Sequence, residues 1–390
     1  MDNSYKDDTF KARLPPEVIM TIIESLIPEN TSHSWPIFPA SHVITKTLLS
    51  LTLVSKAAYP IASRLLWQNC LRIESTKTLH LFCDFISRKS IVTGRMPCEA
   101  YGSTRLFLAP FNCLPFRLPA RNPVDGEARE EAINPSVYKD LHPWRDALKD
   151  KKAVEAVKKV LITLAPVLKS IIVDMPFSSL FFQSEYPLQK LLRKGLEAIV
   201  NVEDFVCITN QLHLPTKQDG SGSKVWTKWP KLQRLALHGV DIEPRFNLWK
   251  NIILCPQLEM AVFPRPEPSW NRLSEVNIKN DWSRAWTEAT SQGQGAMSVK
   301  ARTPYQGREI TMAFCECPAR RPVFDNFINS WERLDPENRI CITTVVLHHQ
   351  YDSSSSVNDD IVCSTWMRNC ALEGSLWDNV HRSAVVNLGE

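Results

Sequence analysis

The chain has 390 residues, a formal net charge of +4, 44% hydrophobic residues and 23% charged residues. These values are typical of a folded globular protein and exclude a largely disordered chain. The basic residues form no long tract, so we expect neither a nucleic-acid partner nor an anionic membrane surface. The first residues, MDNSYKDDTFK, lack the layout of a secretory signal, and no apolar run is long enough to span a bilayer. We therefore expect a cytoplasmic or nuclear protein.

The eleven cysteines are scattered from Cys70 to Cys370 without a regular spacing. In a reducing compartment such cysteines are typically free thiols, many of them buried. The one close pair, Cys315 and Cys317, has no second pair and no histidine nearby, which argues against a zinc site. We predict no metal and no cofactor.

A strongly apolar helix is predicted after a polar tail at residues 1–12. The stretch RLPPEVIMTIIESLI at 13–27 places Pro15 and Pro16 at the first helical turn, where a missing N–H is tolerated. Seven of the ten positions from Val18 to Ile27 are apolar. They form two neighbouring stripes, one beginning at Val18 and the other at Ile19.

Two more short helices are predicted within the apolar block at 43–73. The first carries Leu48, Leu51 and Val54, and the second starts near Tyr59 and Pro60. Three short helices make only a small core, so apolar side chains on their outer faces would remain in contact with water. An exposed apolar patch of this kind usually marks an interface with another protein.

The order of these residues resembles an F-box, a short helical motif that docks on the adaptor protein Skp1. The resemblance lies in LPPEV at 14–18 and in LLSLTLVSKAAYPIASRLLW at 48–67, and it covers residues 13–70. The second stretch is especially similar to F-box proteins of filamentous fungi. One departure is the connection at 28–42, because the family usually joins its first two helices with a few residues.

The resemblance implies a non-catalytic adaptor of an SCF (Skp1-cullin-F-box) ubiquitin ligase. Residues 13–70 would bind Skp1 and, through it, the cullin and RING subunits, while the rest of the chain would hold a protein substrate. The residues predicted to form or brace the docking face are Leu14, Pro15, Val18, Ile22, Leu26, Leu48, Leu51, Val54, Leu66 and Trp67.

Residues 71–150 are predicted as an irregular connecting region. The stretch LRIESTKTLHLFCDFISRKS at 71–90 predicts a strand followed by a helix. Several prolines then interrupt residues 91–145, which predicts loops with short elements.

Residues 151–390 show a loose L-x-x-L-x-L pattern with helix-like segments between its copies. This alternation predicts an irregular α/β solenoid similar to leucine-rich repeats, so the whole chain is expected to be α/β with a helical unit in front. An unrelated α/β domain with a parallel sheet fits the same alternation. The predicted strand positions are Leu168, Ile171, Val173; Val202, Phe205, Cys207; Leu232, Leu235, Leu237; Leu258, Ala261, Phe263; and Leu273, Val276, Ile278.

The C-terminal part of this body is predicted to close the open end of the solenoid. The stretch FDNFINSWERL at 324–334 predicts a helix, RICITTVVLHH at 339–349 predicts a strand, and an aromatic end with Trp366 and Trp377 follows. A strand with a closing helix would cover apolar surface that a solenoid otherwise leaves open.

No catalytic motif is found in the sequence. It lacks a nucleophile elbow, a phosphate-binding P-loop and a dinucleotide-binding glycine pattern. We therefore predict no catalytic residues. Two alternatives stay open: an F-box protein that acts with Skp1 outside any ligase, and an enzyme whose site is assembled from residues far apart in the sequence.

Overall fold

The computed structural model describes residues 15–27, 35–111, 148, 150–180, 186–209, 212, 214, 224–242, 247–266, 278–291, 304–316, 334–347 and 359–387. Leu14, Leu273, Val276, Cys317 and nearly all of the helix predicted at 324–334 lie outside these ranges. In the described part, no helix is both long enough and apolar enough to cross a membrane.

Three short helices form the N-terminal unit: α1 (Pro16–Glu24), α2 (Val43–Val54) and α3 (Ala58–Asn69). Pro16 occupies the first turn of α1. At the start of α2, His42 Nδ1 accepts a hydrogen bond from the Ile44 amide at 3.2 Å, and before α3 the Ser55 hydroxyl accepts one from the Ala58 amide at 3.1 Å. These contacts satisfy amides at helix starts that have no partner within the helix. All three predicted helices are present, although α1 ends three residues before Ile27.

The region after α3 already belongs to the sheet. It contains β1 (Arg72–Ile73), α4 (Thr76–Ile86), α5 (Pro97–Tyr101) and β2 (Thr104–Leu108). The strand and helix predicted at 71–90 are therefore confirmed. The sheet begins at Arg72, well before residue 151, where the sequence pattern suggested that the body starts.

The remaining described strands and helices alternate along the chain. They are α6 (Lys151–Leu164), β3 (Leu168–Val173), α7 (Tyr186–Ala198), β4 (Asp204–Cys207), β5 (Arg234–Leu237), α8 (Leu248–Ile253), β6 (Met260–Pro264), α9 (Ile278–Ser291), β7 (Ile310–Glu316), β8 (Ile340–Val346), α10 (Asp359–Glu373) and α11 (Leu376–Asn387). The strands predicted around residues 168, 202, 232, 258 and 340 are confirmed within a few residues.

The eight described strands form one parallel sheet whose spatial order is the order of the chain. Each strand pairs with the strand before it, as in the register that aligns Ile171 with Phe205 and Phe205 with Leu235. Parallel neighbours cannot be joined by a tight hairpin, so each connection must cross back along the sheet.

One face of the sheet packs against α4 and α6–α9. Strand residues such as Leu106, Ile171, Phe205 and Met312 belong to the same buried cluster as side chains of these helices. Where α7 approaches α6, Gly195 leaves room, because a Cβ atom there would lie only 3.1 Å from the Lys158 Cα atom.

The opposite face of the sheet packs against α10 and α11. The strand side chains on this face are largely small and apolar, and they share a buried cluster with both helices: Phe107, Ile172, Val206, Ala236, Val262 and Ala313 from the sheet, with Cys363, Met367, Ala371, Leu376, Trp377 and Val380 from the helices. Burial on both faces explains why the strands are almost continuously apolar. The end of the chain also reaches the edge strand β8, which α11 contacts, whereas the helix predicted at 324–334 lies almost wholly outside the described residues.

The fifth predicted strand is wrong at its one described residue, Ile278, which begins α9. Ile278, Trp282 and Ala285 are buried at intervals of four and three residues, which is the spacing of a helix face. The next strand of the sheet is β7, which the sequence pattern did not reveal. Cys315 lies buried on β7.

Candidate functional site

Exposed apolar side chains are concentrated on α1 and α2. In the described part of the chain, these two helices carry half of the exposed large apolar side chains. We call this set the N-terminal apolar surface; it consists of Val18, Met20, Ile22, Val43, Leu49, Leu53 and Val54.

The surface exists because α1 has two apolar stripes and its small core takes up only one of them. Ile23 and Ile27 pack with Leu48, Ile61 and other residues of α2 and α3, and Ile19 packs beside them. The neighbouring stripe remains outside, where Val18 is 41% exposed and Ile22 is 52% exposed. Burial of one stripe thus turns the other one outward.

The predicted docking residues divide into exposed and buried groups. Pro15, Val18, Ile22 and Val54 are exposed, whereas Leu26, Leu51 and Leu66 are partly buried. Leu48 and Trp67 are almost completely buried. The exposed residues can contact a partner directly, and the buried ones can only brace the helices.

Trp67 fastens α3 to the sheet. Its indole N–H donates to the Gly102 carbonyl at 3.1 Å, and its own carbonyl accepts a hydrogen bond from the Thr104 hydroxyl at 2.6 Å. The ring also lies against Tyr101, with 6.0 Å between the ring centroids. Trp67 therefore sets the position of α3 relative to β2.

The sequence did not identify Met20, Val43, Leu49 and Leu53 as site residues. Leu53 is the most exposed member of the surface at 87%. Leu49 and Leu53 are four residues apart on α2, while the buried Leu48 marks the core side of that helix. The four-residue spacing could have indicated an exposed face of α2. Apolar residues occur on all sides of this helix, however, so the exposed face does not stand out in the sequence.

The connection between α1 and α2 attaches the helical unit to the rest of the protein. The Ile37 amide donates to the Leu372 carbonyl on α10 at 2.8 Å, and the Phe38 amide donates to the Asn69 carbonyl at 2.8 Å. The Ile37 side chain joins the cluster on the covered sheet face, and the Arg105 guanidinium lies 5.5 Å from the centre of the Trp35 ring. The long connection thus spans the helical unit, the sheet and α10.

Two charged contacts hold α10 and α11 against the covered face. Arg368 Nη1 of α10 lies 3.2 Å from Asp174 Oδ2, and the Asp174 carboxylate also accepts a hydrogen bond from the Thr209 hydroxyl at 3.0 Å. Arg234, paired with Asp204 on the neighbouring strand, lies 5.7 Å from the centre of the Trp377 ring of α11. Burial raises the pKa of Asp174, while Arg368 and Thr209 oppose this increase.

Comparison of the chain with models of known protein families, with curated proteins and with solved structures found no match. The arrangement of the residues is therefore the basis for assigning a function. It offers an exposed apolar surface on two short helices that are firmly attached to a parallel sheet.

Proposed function

We propose that this chain is an F-box adaptor that docks on Skp1 through the N-terminal apolar surface and presents a protein substrate to an SCF ubiquitin ligase. The observation that carries the proposal is the exposure of apolar side chains on the two F-box-like helices: Val18 and Ile22 on α1, which follows the LPPEV pattern, and Leu53 and Val54 on α2. A partner that covers these side chains gains about 25 cal/mol for each Å² of apolar surface removed from water. Apolar patches of this kind generally mark protein interfaces.

The body behind the helical unit is proposed to be a solenoid similar to leucine-rich repeats. Its strands follow the chain order without reversal, which supports stacked repeats. In α/β enzymes with open sheets, by contrast, ligands bind where the strand order reverses. Because α10 and α11 cover one sheet face, a substrate on that side would contact the outer surface of these helices and not the strands.

The proposed mechanism is proximity. The adaptor brings its substrate close to the ubiquitin-transferring subunits and so raises the effective concentration of the target. Contacts such as those of Trp67 and Ile37 keep the docking helices and the body in one orientation, which this mechanism requires. The transfer chemistry itself belongs to the other subunits.

The test is capture of purified Skp1 by the full-length chain. The double variant Ile22→Asp/Leu53→Asp places two charges on the docking surface, and we expect the dissociation constant to rise by at least about 100-fold because a charge buried in the interface lacks a partner. The matched control is Leu254→Asp, since Leu254 is 51% exposed after α8, outside the helical unit. Equal binding by the double variant and the control would refute the docking assignment.

A second experiment separates a ligase subunit from an F-box protein that acts with Skp1 alone. The complex of this chain with Skp1 is mixed with a purified cullin and its RING subunit and analysed by size-exclusion chromatography. Co-elution of all the components supports the ligase role. Retention of Skp1 without the cullin supports the role outside a ligase.

The enzyme alternative has one specific observation in its favour, a cavity of about 340 Å³ beside α8 and α9. Asp281 lines it, and burial raises the pKa of this carboxyl group. However, Arg284 lies 3.3 Å from Asp281, and Lys250 lies 3.9 Å from Glu288 across the cavity. Opposite charges that neutralise each other are typical of a surface ion-pair cluster, so the adaptor remains the preferred proposal.

A further inference from the structure

A groove separates the N-terminal helices from α4. It has a volume of about 890 Å³, and its lining comes from α2, α3, α4, α5 and the turn after α4. This volume lies within the usual range of small-molecule sites, which are frequent where two structural units meet. We call it the junction groove.

The walls of the junction groove are apolar. Leu49 of α2, Leu66 of α3, and Leu81 and Phe85 of α4 line it. Leu49, Leu81 and Phe85 are each at least half exposed, so water covers apolar surface that an occupant would shield.

The polar groups of the groove include a cluster of hydroxyls. The Tyr59 and Tyr101 hydroxyl oxygens lie 3.3 Å apart. The hydroxyls of Ser63 and Ser90 also line the groove, and hydrogen bonds from Tyr101 and Ser90 lower the pKa of Tyr59. Each hydroxyl carries one O–H donor, so this cluster can donate to an oxygen atom of a bound molecule.

Two cations adjoin this cluster. Arg88 and Lys89 line the groove directly before Ser90, and within the described part of the chain neither forms an ion pair. Asp84 is the one carboxylate among the lining residues. The polar groups thus combine two positive charges with hydroxyl donors, which suits an anionic oxygen group.

We propose that the junction groove binds a small organic acid with a long apolar body, with its carboxylate at Arg88, Lys89 and the Tyr59 hydroxyl. Its apolar body would lie along Leu66 and Phe85. A partner helix fits less well: it is about 10 Å across, so 890 Å³ would hold only about two of its turns. The apolar face of such a helix would also leave the hydroxyls without a partner.

Isothermal titration of the full-length chain with decanoate and 1-decanol at pH 7.5 tests the proposal. We expect saturable binding of one decanoate, with 1-decanol bound at least about tenfold more weakly because it lacks the charge. Arg88→Glu/Lys89→Glu should weaken decanoate binding at least about tenfold, and Phe85→Glu should do the same by placing a charge on the apolar wall. Lys77→Glu is the matched control, since Lys77 is an exposed lysine of α4 that does not line the groove.

Thermal unfolding of each variant confirms that the chain remains folded before binding is compared. Absence of saturable decanoate binding would overturn the proposal, as would equal affinity for decanoate and 1-decanol. Unchanged binding by Arg88→Glu/Lys89→Glu would place the ligand elsewhere and would also overturn it. The result does not depend on whether the chain binds Skp1, because the titration contains this chain alone.

Discussion

Arg368 of α10 and Asp174, the residue after β3, form a buried ion pair with 3.2 Å between Nη1 and Oδ2. The Asp174 side chain is 2% exposed. Arg368 also lies 4.0 Å from Glu74, which follows β1, and 5.3 Å from the centre of the Phe107 ring on β2. One side chain of α10 thus contacts the ends or faces of three neighbouring strands.

Arg368→Ala should therefore destabilise the protein. The substitution leaves the buried Asp174 carboxylate without its cation, and we expect the free energy of unfolding to fall by about 3 kcal/mol. Denaturant unfolding measures this loss. Arg382→Ala on α11 removes an exposed arginine and should change stability by less than about 0.5 kcal/mol. Equal effects of the two substitutions would show that the Asp174 pair contributes little.

The same carboxylate should make stability depend on pH. Burial raises the pKa of Asp174, so the folded state keeps this proton to a higher pH than the unfolded state, whose aspartate pKa is about 3.9. The contribution of Asp174 to the free energy of unfolding therefore falls as pH rises from about 4 through the raised pKa. In Asp174→Asn this contribution is absent.

The measurement compares the natural chain and Asp174→Asn by denaturant unfolding at several pH values from 4 to 8. We expect the stability of the natural chain, relative to the variant, to decrease with rising pH and then become constant. A relative stability that increases with pH would mean that Arg368 and Thr209 outweigh the cost of burial.

Ile37, in the segment between α1 and α2, should stabilise both the protein and the last turn of α10. Its side chain is buried on the covered sheet face, so Ile37→Ala should cost about 3 kcal/mol. Its amide bonds to the Leu372 carbonyl, so the substitution should also speed hydrogen exchange in the last turn of α10. Val43→Ala is the control, because Val43 is exposed and should change neither measurement. Unchanged exchange in α10 for Ile37→Ala would argue against this connection.

Trp67 should act as a brace for the proposed docking face. Trp67→Phe removes the hydrogen bond to the Gly102 carbonyl and should reduce stability by about 1–2 kcal/mol. Because Trp67 is buried, the affinity of the folded variant for Skp1 should change less than about twofold. A large loss of affinity without loss of stability would instead place Trp67 in the interface.

The three N-terminal helices could be predicted because their signals are local. Pro15 and Pro16 mark the first start, Ser55 precedes the third helix, and the apolar residues repeat at helical spacing. The sequence also predicted that some apolar side chains would remain exposed. The helical spacing alone does not tell whether the Val18 stripe or the Ile19 stripe faces outward, because that depends on which one meets α2 and α3. The choice of Val18 and Ile22 rested on the F-box resemblance, and both residues are exposed.

The arrangement of the last two helices could not be predicted because it depends on distant residues. Apolar side chains occur on several sides of α10, so no single stripe marks its buried face. The groups that hold α10, Asp174 and Phe107, come from strands far earlier in the chain. Ile278 was misassigned for a local reason. A short apolar pattern fits either a strand or a helix, and here it forms the start of α9.

The order of the strands has a consequence for synthesis on the ribosome. Every strand from β2 to β8 finds its partner among residues that have already been made, so the sheet can grow as the chain emerges. The sheet face that includes Phe107, Ala236 and Ala313 nevertheless remains exposed to solvent until residues 359–387 have been synthesised and packed against it. A nascent chain that is cut short before Asp359 would thus carry all eight described strands with one apolar face exposed, which makes it a target for chaperones or a seed for aggregates.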